Sequence, residues 1–208
     1  MIQIAGLSHC FSDNVVISYP DWQVADGEHS LILGASGSGK TTLLHLMSGL
    51  LKPTNGSVIF DTQEINQLSP SRMDKFRGAH VGLIFQKPHL IAALTVKENI
   101  KLSTFLGKKP EHNRHIEEML DSLGLIELAH RKVHQLSQGQ AQRVAIARAL
   151  INHPKFVFGD EPTASLDDES CMKVVELLKR QSDQHGATLV IATHDQRVKN
   201  HFSNKLEL

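Results

Sequence analysis

Residues 30–50 read SLILGASGSGKTTLLHLMSGL, and three kinds of local order follow one another in them. The apolar run SLILG (30–34), closed by a glycine, has the length and content of a buried strand. GASGSGKT (34–41) fits G-x-x-x-x-G-K-[ST] in full. From residue 40 a helical spacing begins, and over 40–50 it puts Leu43, Leu44, Met47 and Leu50 on one face. Strand, glycine-rich loop and helix, in that order, is the context a phosphate-binding loop requires. Gly34, Gly37 and Gly39 let backbone N–H groups turn toward phosphate oxygens, and the helix start favours their negative charge. Ala35, Ser36 and Ser38 complete the loop. Lys40 is placed for the β- and γ-phosphates, and Thr41, followed by Thr42, for a magnesium ion.

Outward from this stretch, short apolar runs recur: VVISY (15–19), SVIF (57–60), HVGLIF (80–85), KFVFGD (155–160) and TLVIAT (188–193). Gly, Pro or Asp bounds several of them, as with buried strands. Two more helices are predicted. Over 111–123, Ile116, Met119, Leu120 and Leu123 share a face; over 170–181, Cys171, Val174, Val175 and Leu178 do. Strands alternating with helices imply an α/β fold with a mostly parallel sheet under helices. The part up to Phe60 is strand-rich. The stretch 88–135 is helical in pattern and reads as an insertion. One domain spanning 1–208 is expected, with a catalytic core of 1–87 and 136–208 around a helical subdomain of 88–135.

Bulk properties narrow the function. The chain has 208 residues, no formal net charge and no basic block, so the electrostatic footprint of a nucleic-acid binder is missing. Hydrophobic residues at 40% and charged ones at 21% suit a soluble globular domain. Cys10 and Cys171 form no C-x-x-C pair, which argues against zinc or a disulfide framework and fits a reducing compartment. The start MIQIAGLSHC carries no signal-peptide pattern, and no apolar run approaches the roughly 18 residues that span a bilayer. Any membrane role is expected to come through a partner. The pairs His130/His134 and His112/His115 have no third ligand nearby and read as solvated surface histidines.

KFVFGDEP supplies what a phosphate loop needs next, a carboxylate at a strand end. Asp160 is placed to hold magnesium and Glu161 to polarise an attacking water. A carboxylate directly after the magnesium aspartate argues for hydrolysis. QLSQGQAQRVAIARAL (135–150) then begins as a Ser/Gly/Gln cluster and continues as a helix, the grammar of a second anion-facing helix start.

With these motifs in this order, nearly the whole chain resembles the ATP-binding-cassette (ABC) ATPases. GASGSGKT is similar to the family's Walker A loop and FVFGDE to its Walker B strand. Gln86 in GLIFQKP resembles the Q-loop glutamine. LSQGQ (136–140) resembles the LSGGQ signature, with Gln138 in place of the first glycine. ASLD (164–167) resembles the D-loop, with Asp167, and IATHD carries the switch histidine, His194. Phe11 stands where the family places an adenine-stacking aromatic. The resemblance implies a P-loop NTPase (RecA-like) core with an N-terminal antiparallel β-subdomain and an inserted α-helical subdomain. It implies ATP and Mg²⁺ as ligands, with Gln86 near magnesium or the attacking water and His194 on the γ-phosphate. It also implies a head-to-tail homodimer. Ser137, Gly139 and Gln140 of one copy would cap the ATP on the other's loop, aided by a helix beginning near Gln140.

Gln138 is tolerable if its backbone stays at ordinary angles. Gly159, where an apolar residue is frequent, is expected beside a close backbone neighbour. The segment RMDKFRGAHVGLIFQKPHLIAALTVKENI is similar to the lipoprotein-release and macrolide-efflux branch of bacterial exporters. That implies a separate permease subunit, received around residues 86–100 by exposed apolar residues such as Leu90 and Ile91. It implies a peripheral place on the inner face of the bacterial cell membrane. The alternative is a soluble ABC ATPase of an assembly system such as iron–sulfur cluster biogenesis.

Overall fold

A computed structural model describes residues 1–11, 15–108, 113–164 and 167–208. His112, Ser165, Leu166 and the first two positions of the helix expected over 111–123 lie outside the described residues. Two five-stranded sheets organise the described residues. The antiparallel one joins β1 (Ile2–Cys10), β2 (Val16–Ser18), β3 (Trp22–Val24), β5 (Asn55–Phe60) and β6 (Gln63–Glu64). The parallel one runs in the order β10 (Asn204–Glu207), β4 (His29–Leu33), β9 (Thr188–Thr193), β8 (Phe156–Asp160), β7 (Val81–Ile84). Six α-helices among the described residues complete it: α1 (Lys40–Met47), α2 (Pro70–His80), α3 (Val96–Leu106), α4 (Asn113–Ser122), α5 (Gln138–Leu150) and α6 (Asp168–Gln184). This is the mixed α/β architecture the sequence pattern led to.

The parallel sheet is buried on both faces, and its side chains sort by the two-residue period of a strand. Leu31, Leu33, Val157, Leu189 and Ile191 enter one apolar cluster with Ile100, Ile116, Leu120, Val144 and Leu178 from α3, α4, α5 and α6. Ile32, Phe156, Phe158, Val190 and Ala192 enter the other, with Leu43, Leu44 and Met47 of α1 and Ile2, Ile4, Val58 and Phe60 of the antiparallel sheet. Phe60 packs its ring 4.3 Å from that of Phe156. Each such large apolar side chain contributes about 1.5–3 kcal/mol by leaving water. Strand register then aligns one edge. Leu33 pairs Thr193, Ala192 pairs Asp160 and Gly159 pairs Ile84, so the carboxyl ends of β4, β9, β8 and β7 finish together.

Several expectations change in detail. α1 stops at Met47, so Leu50 is exposed and does not share the buried face. Val15 and Val16 are exposed because β2 is an edge strand. The helix expected near Gln140 starts at Gln138, with Ser137 as its N-cap. Gln138 is therefore its first helical residue, outside the positive-φ region and exposed. The close neighbour of Gly159 is a side chain: a Cβ there would sit 3.3 Å from the Pro162 ring. Leu90 is half-buried against the core, leaving Ile91 as the exposed one of that pair. His115 is half-buried too, its ring 4.5 Å from that of His153 and Nε2 3.2 Å from the Ile151 carbonyl.

Candidate functional site

Ligands of open α/β sheets gather at the carboxyl ends of the strands. β4 ends there in the glycine loop. Gly39, the N-cap of α1, has φ 98°, a conformation that needs glycine, and its carbonyl accepts a 3.1 Å bond from the Tyr19 hydroxyl. Lys40 is buried, and its ammonium donates to the Gly34 and Ala35 carbonyls at 2.9 Å each. It also lies 3.7 Å from Glu161 Oε1. Ala35, Ser36, Gly37 and Thr41 are exposed, whereas the Ser38 hydroxyl is turned inward.

β8 delivers the two acids. The Thr41 hydroxyl donates to Asp160 Oδ1 at 3.0 Å. Burial pushes the Asp160 carboxyl above its ordinary range, and the Thr41 bond opposes this in part. Glu161 sits at φ 46°, a region that costs a non-glycine residue about 1–3 kcal/mol. Surrounding bonds hold it there. Its N–H donates to Ala192 O at 2.8 Å, and Thr193 Oγ1 donates to Oε2 at 2.8 Å. The His194 N–H and the His194 Nδ1 reach Oε1 at 3.1 and 2.8 Å. His194 itself is 60% exposed, at the lip of the site. Gln86, two residues beyond β7, is also exposed.

One groove of ≈ 410 Å³ collects these parts. Phe11, Ser36, Gly37, Gly39, Lys40, Thr41, Thr42, Gln86, Glu161 and His194 all line it, with Ile17. A second groove of ≈ 490 Å³ shares Gln86, Glu161 and His194 and continues to Arg197. Sequence reasoning missed Tyr19, under the loop, and Thr193, the clamp on Glu161. The only signal for Thr193 was its place before His194 at a strand end.

The residues of 136–140 stand apart. Neither of these grooves includes Ser137, Gly139 or Gln140. Gly139 instead lines a larger groove of ≈ 770 Å³ between α5, α6 and the turn 122–124. Ser137 and Gln140 form a reciprocal capping box: Gln140 N–H donates to Ser137 Oγ at 3.3 Å, and Ser137 N–H to Gln140 Oε1 at 2.9 Å. Asp167 is likewise outside the grooves that hold the loop. It caps α6 by accepting from Ser170 N–H at 2.9 Å, which holds its carboxyl below the usual range.

Among the described residues no group of three His, Cys, Asp or Glu side chains is arranged to hold a metal. The Asp160–Thr41 pair has a different character: one anionic and one neutral hard oxygen beside a phosphate loop. That donor set fits magnesium, which takes few protein ligands and completes its shell with phosphate and water.

The family described as ABC transporter matches residues 18–164. Solved structures similar to this chain include the ATP-binding cassette MJ0796 as a dimer in a post-hydrolysis state with ADP and Pi. It is 33% identical, covers 100% of this chain and 94% of that one, and has a TM-score of 0.91. A second dimeric structure of MJ0796, described as a bacterial ABC transporter cassette, gives 33% identity, the same coverage and a TM-score of 0.90. CbiO1 from Clostridium perfringens, part of the ABC transporter complex cbiONQ, is 32% identical over 99% of this chain and 83% of that one, with a TM-score of 0.89.

Proposed function

The chain belongs to the ABC transporter family, and on that premise we propose that it hydrolyses ATP as a head-to-tail homodimer, each site shared between two copies. The observation that carries this reading is the separation of the phosphate-facing parts. The loop, Glu161 and His194 line one groove, while Ser137, Gly139 and Gln140 face elsewhere on the same chain. Gly139 supports it independently. A Cβ there would meet nothing within 4 Å, and its φ is not positive. Nothing among the described residues requires a glycine there, which in a helix costs about 0.5–1 kcal/mol relative to alanine. A phosphate approaching from a second copy supplies the reason. The dimeric relatives are consistent with this.

In this mechanism the backbone N–H groups of 35–41 cradle the β- and γ-phosphates. Lys40 exchanges its loop carbonyls for phosphate oxygens. Thr41 and Asp160 would hold magnesium, which neutralises phosphate charge when bound. Glu161 takes the proton of the attacking water. The water oxygen bonds to the γ-phosphorus as its bond to the β–γ bridging oxygen breaks, giving ADP and phosphate. His194 Nδ1 lies 2.8 Å from Glu161 Oε1, which fixes its ring; with both ring nitrogens protonated it donates from Nδ1 to Glu161 and from Nε2 to the γ-phosphate. Gln86 orients the water or the metal. Phe11, 39% exposed at the groove, offers a face for adenine.

The work is coupled to a membrane permease in the reading favoured here, with residues 88–135 as the helical subdomain that receives it. No helix among the described residues is long and apolar enough to cross a membrane. Ile91, Phe105 and Leu106 expose apolar surface around α3, as a docking face does. CbiO1, a relative, is part of a transporter complex. The test is Glu161→Gln protein, trapped with ATP in cells and purified from gently solubilised membranes. Co-purification of a polytopic membrane subunit is the expected result. Recovery of soluble assembly factors alone would replace the permease with the alternative class.

A further inference from the structure

Gln86 is carried by a segment, residues 85–90, that is neither helix nor strand. Its position is set by contacts from other elements. Arg148, in the last turn of α5, donates from Nη1 to the His89 carbonyl and from Nη2 to the Pro88 carbonyl, both at 2.7 Å. His89 has φ 46°, so the turn is strained where the guanidinium grips it. On the far side Asn99, buried in α3, accepts from Ile91 N–H at 2.8 Å and donates to Ile91 O at 3.2 Å. The Phe85 ring stands edge-on to His89 with centroids 5.5 Å apart.

Burial lowers the pKa of the Arg148 guanidinium, the mark of a desolvated cation. A half-buried charge loses part of its hydration, and a planar fork matched to two adjacent carbonyls is a specific way to compensate it. A helix of this pitch puts Arg148 roughly 16 Å along α5 from Ser137. One rigid rod therefore carries the 137–140 cluster at one end and the grip on the Gln86 turn at the other.

We propose that Arg148 is a positioning residue for Gln86: it fixes the turn after Gln86 and ties that turn to α5. A shift of α5, when Ser137 meets ATP on a second copy, is then transmitted to the side chain beside the reacting water. This rests on the hydrolytic reading above. The role predicts a loss in turnover and little change in ATP capture, because Arg148 bonds the carbonyls of Pro88 and His89 while Lys40 bonds those of Gly34 and Ala35.

The experiment is steady-state hydrolysis by Arg148→Met, which keeps the apolar stem, and Arg148→Lys, which can reach one carbonyl. Glu161→Gln runs in parallel. Arg148→Met is expected to lower kcat about 10- to 100-fold, the scale of a small misplacement, with KM for ATP within about threefold. Arg148→Lys is expected to fall between it and the unaltered protein. If Arg148→Met does not fold, Arg148→Lys decides alone by the same split of kcat from KM. An unchanged kcat, or a kcat that falls only as nucleotide binding is lost, overturns the proposal. If Glu161→Gln hydrolyses normally, the hydrolytic reading has failed. If Glu161→Gln is silent and both Arg148 variants are fully active, only the positioning role has failed.

Discussion

The helix starts of α1 and α5, the two assigned to phosphate in the proposal, are built in opposite ways. At α1 the N-cap is Gly39, which has no side chain to cap with, so the first-turn N–H groups are not satisfied by a cap side chain. At α5 the N-cap is Ser137, and the reciprocal box with Gln140 uses its own chain to satisfy part of the same need. Every helix start leaves four orphan N–H groups. An uncapped start beside a buried lysine is suited to hold an anion tightly in its own groove. A capped start on the surface is stable alone and presents a hydroxyl, an amide and a small residue to whatever docks there. On the proposed mechanism the first is a binding site and the second a contact.

This contrast can be broken at either end. The largest effect belongs to α1. Lys40→Ala removes a charged donor worth about 1.5–3 kcal/mol, so the Kd for ATP should rise roughly 10- to 100-fold by fluorescent-nucleotide titration. An unchanged Kd would remove the loop from the phosphate site. At α5, Ser137→Ala should behave differently: about 1 kcal/mol of stability lost with the cap, hydrolysis reduced, and ATP affinity of the single chain unaltered. Weakened ATP binding by the isolated chain would mean that Ser137 acts within its own groove. Gln138→Gly, at an exposed helical position, should change the hydrolysis rate by less than about threefold, under roughly 0.7 kcal/mol of barrier. A larger gain would show that the glutamine itself obstructs the contact.

The smallest effect is at a third helix start, α6, whose cap is a charge. Asp167 has its carboxyl held low by the Ser170 N–H, so its stabilising bond is present above the unfolded value of about 3.9 and is lost as pH falls through the lower folded value. Asp167→Asn should therefore flatten the acid limb of thermal stability and leave neutral pH little changed. An acid limb identical in both proteins would exclude the carboxylate as the titrating cap.

Legibility in the sequence followed the physics of each part. GASGSGKT was readable because a phosphate loop needs its residues contiguous. Glu161 and His194 were readable from order and from the family resemblance, but their bond is a product of strand register between β8 and β9. The α3 start was readable in principle, since TVKE (95–98) is a capping box, confirmed as Thr95 with Glu98. α2 was not, because it has no fully buried residue and only Met73 and Phe76 pack, half-buried, against the core, too short an apolar stripe to read. Tyr19 and Arg148 act through backbone carbonyls distant in sequence, and a pattern of residue types carries no trace of a carbonyl; Thr193 acts through the Glu161 carboxylate, a pairing that only strand register creates.

The most direct test of a site shared between copies mixes two damaged chains. Lys40→Ala disables the loop and leaves 137–140 intact. Gly139→Asp places a like charge where phosphate would approach in the proposed dimer, at a position whose added Cβ meets nothing within 4 Å among the described residues. Each protein alone should hydrolyse ATP slowly. In an equal mixture, heterodimers join the intact loop of one copy to the intact 137–140 of the other, and hydrolysis should rise well above the sum of the two. A mixture no faster than that sum would contradict the account and return the site to a single chain.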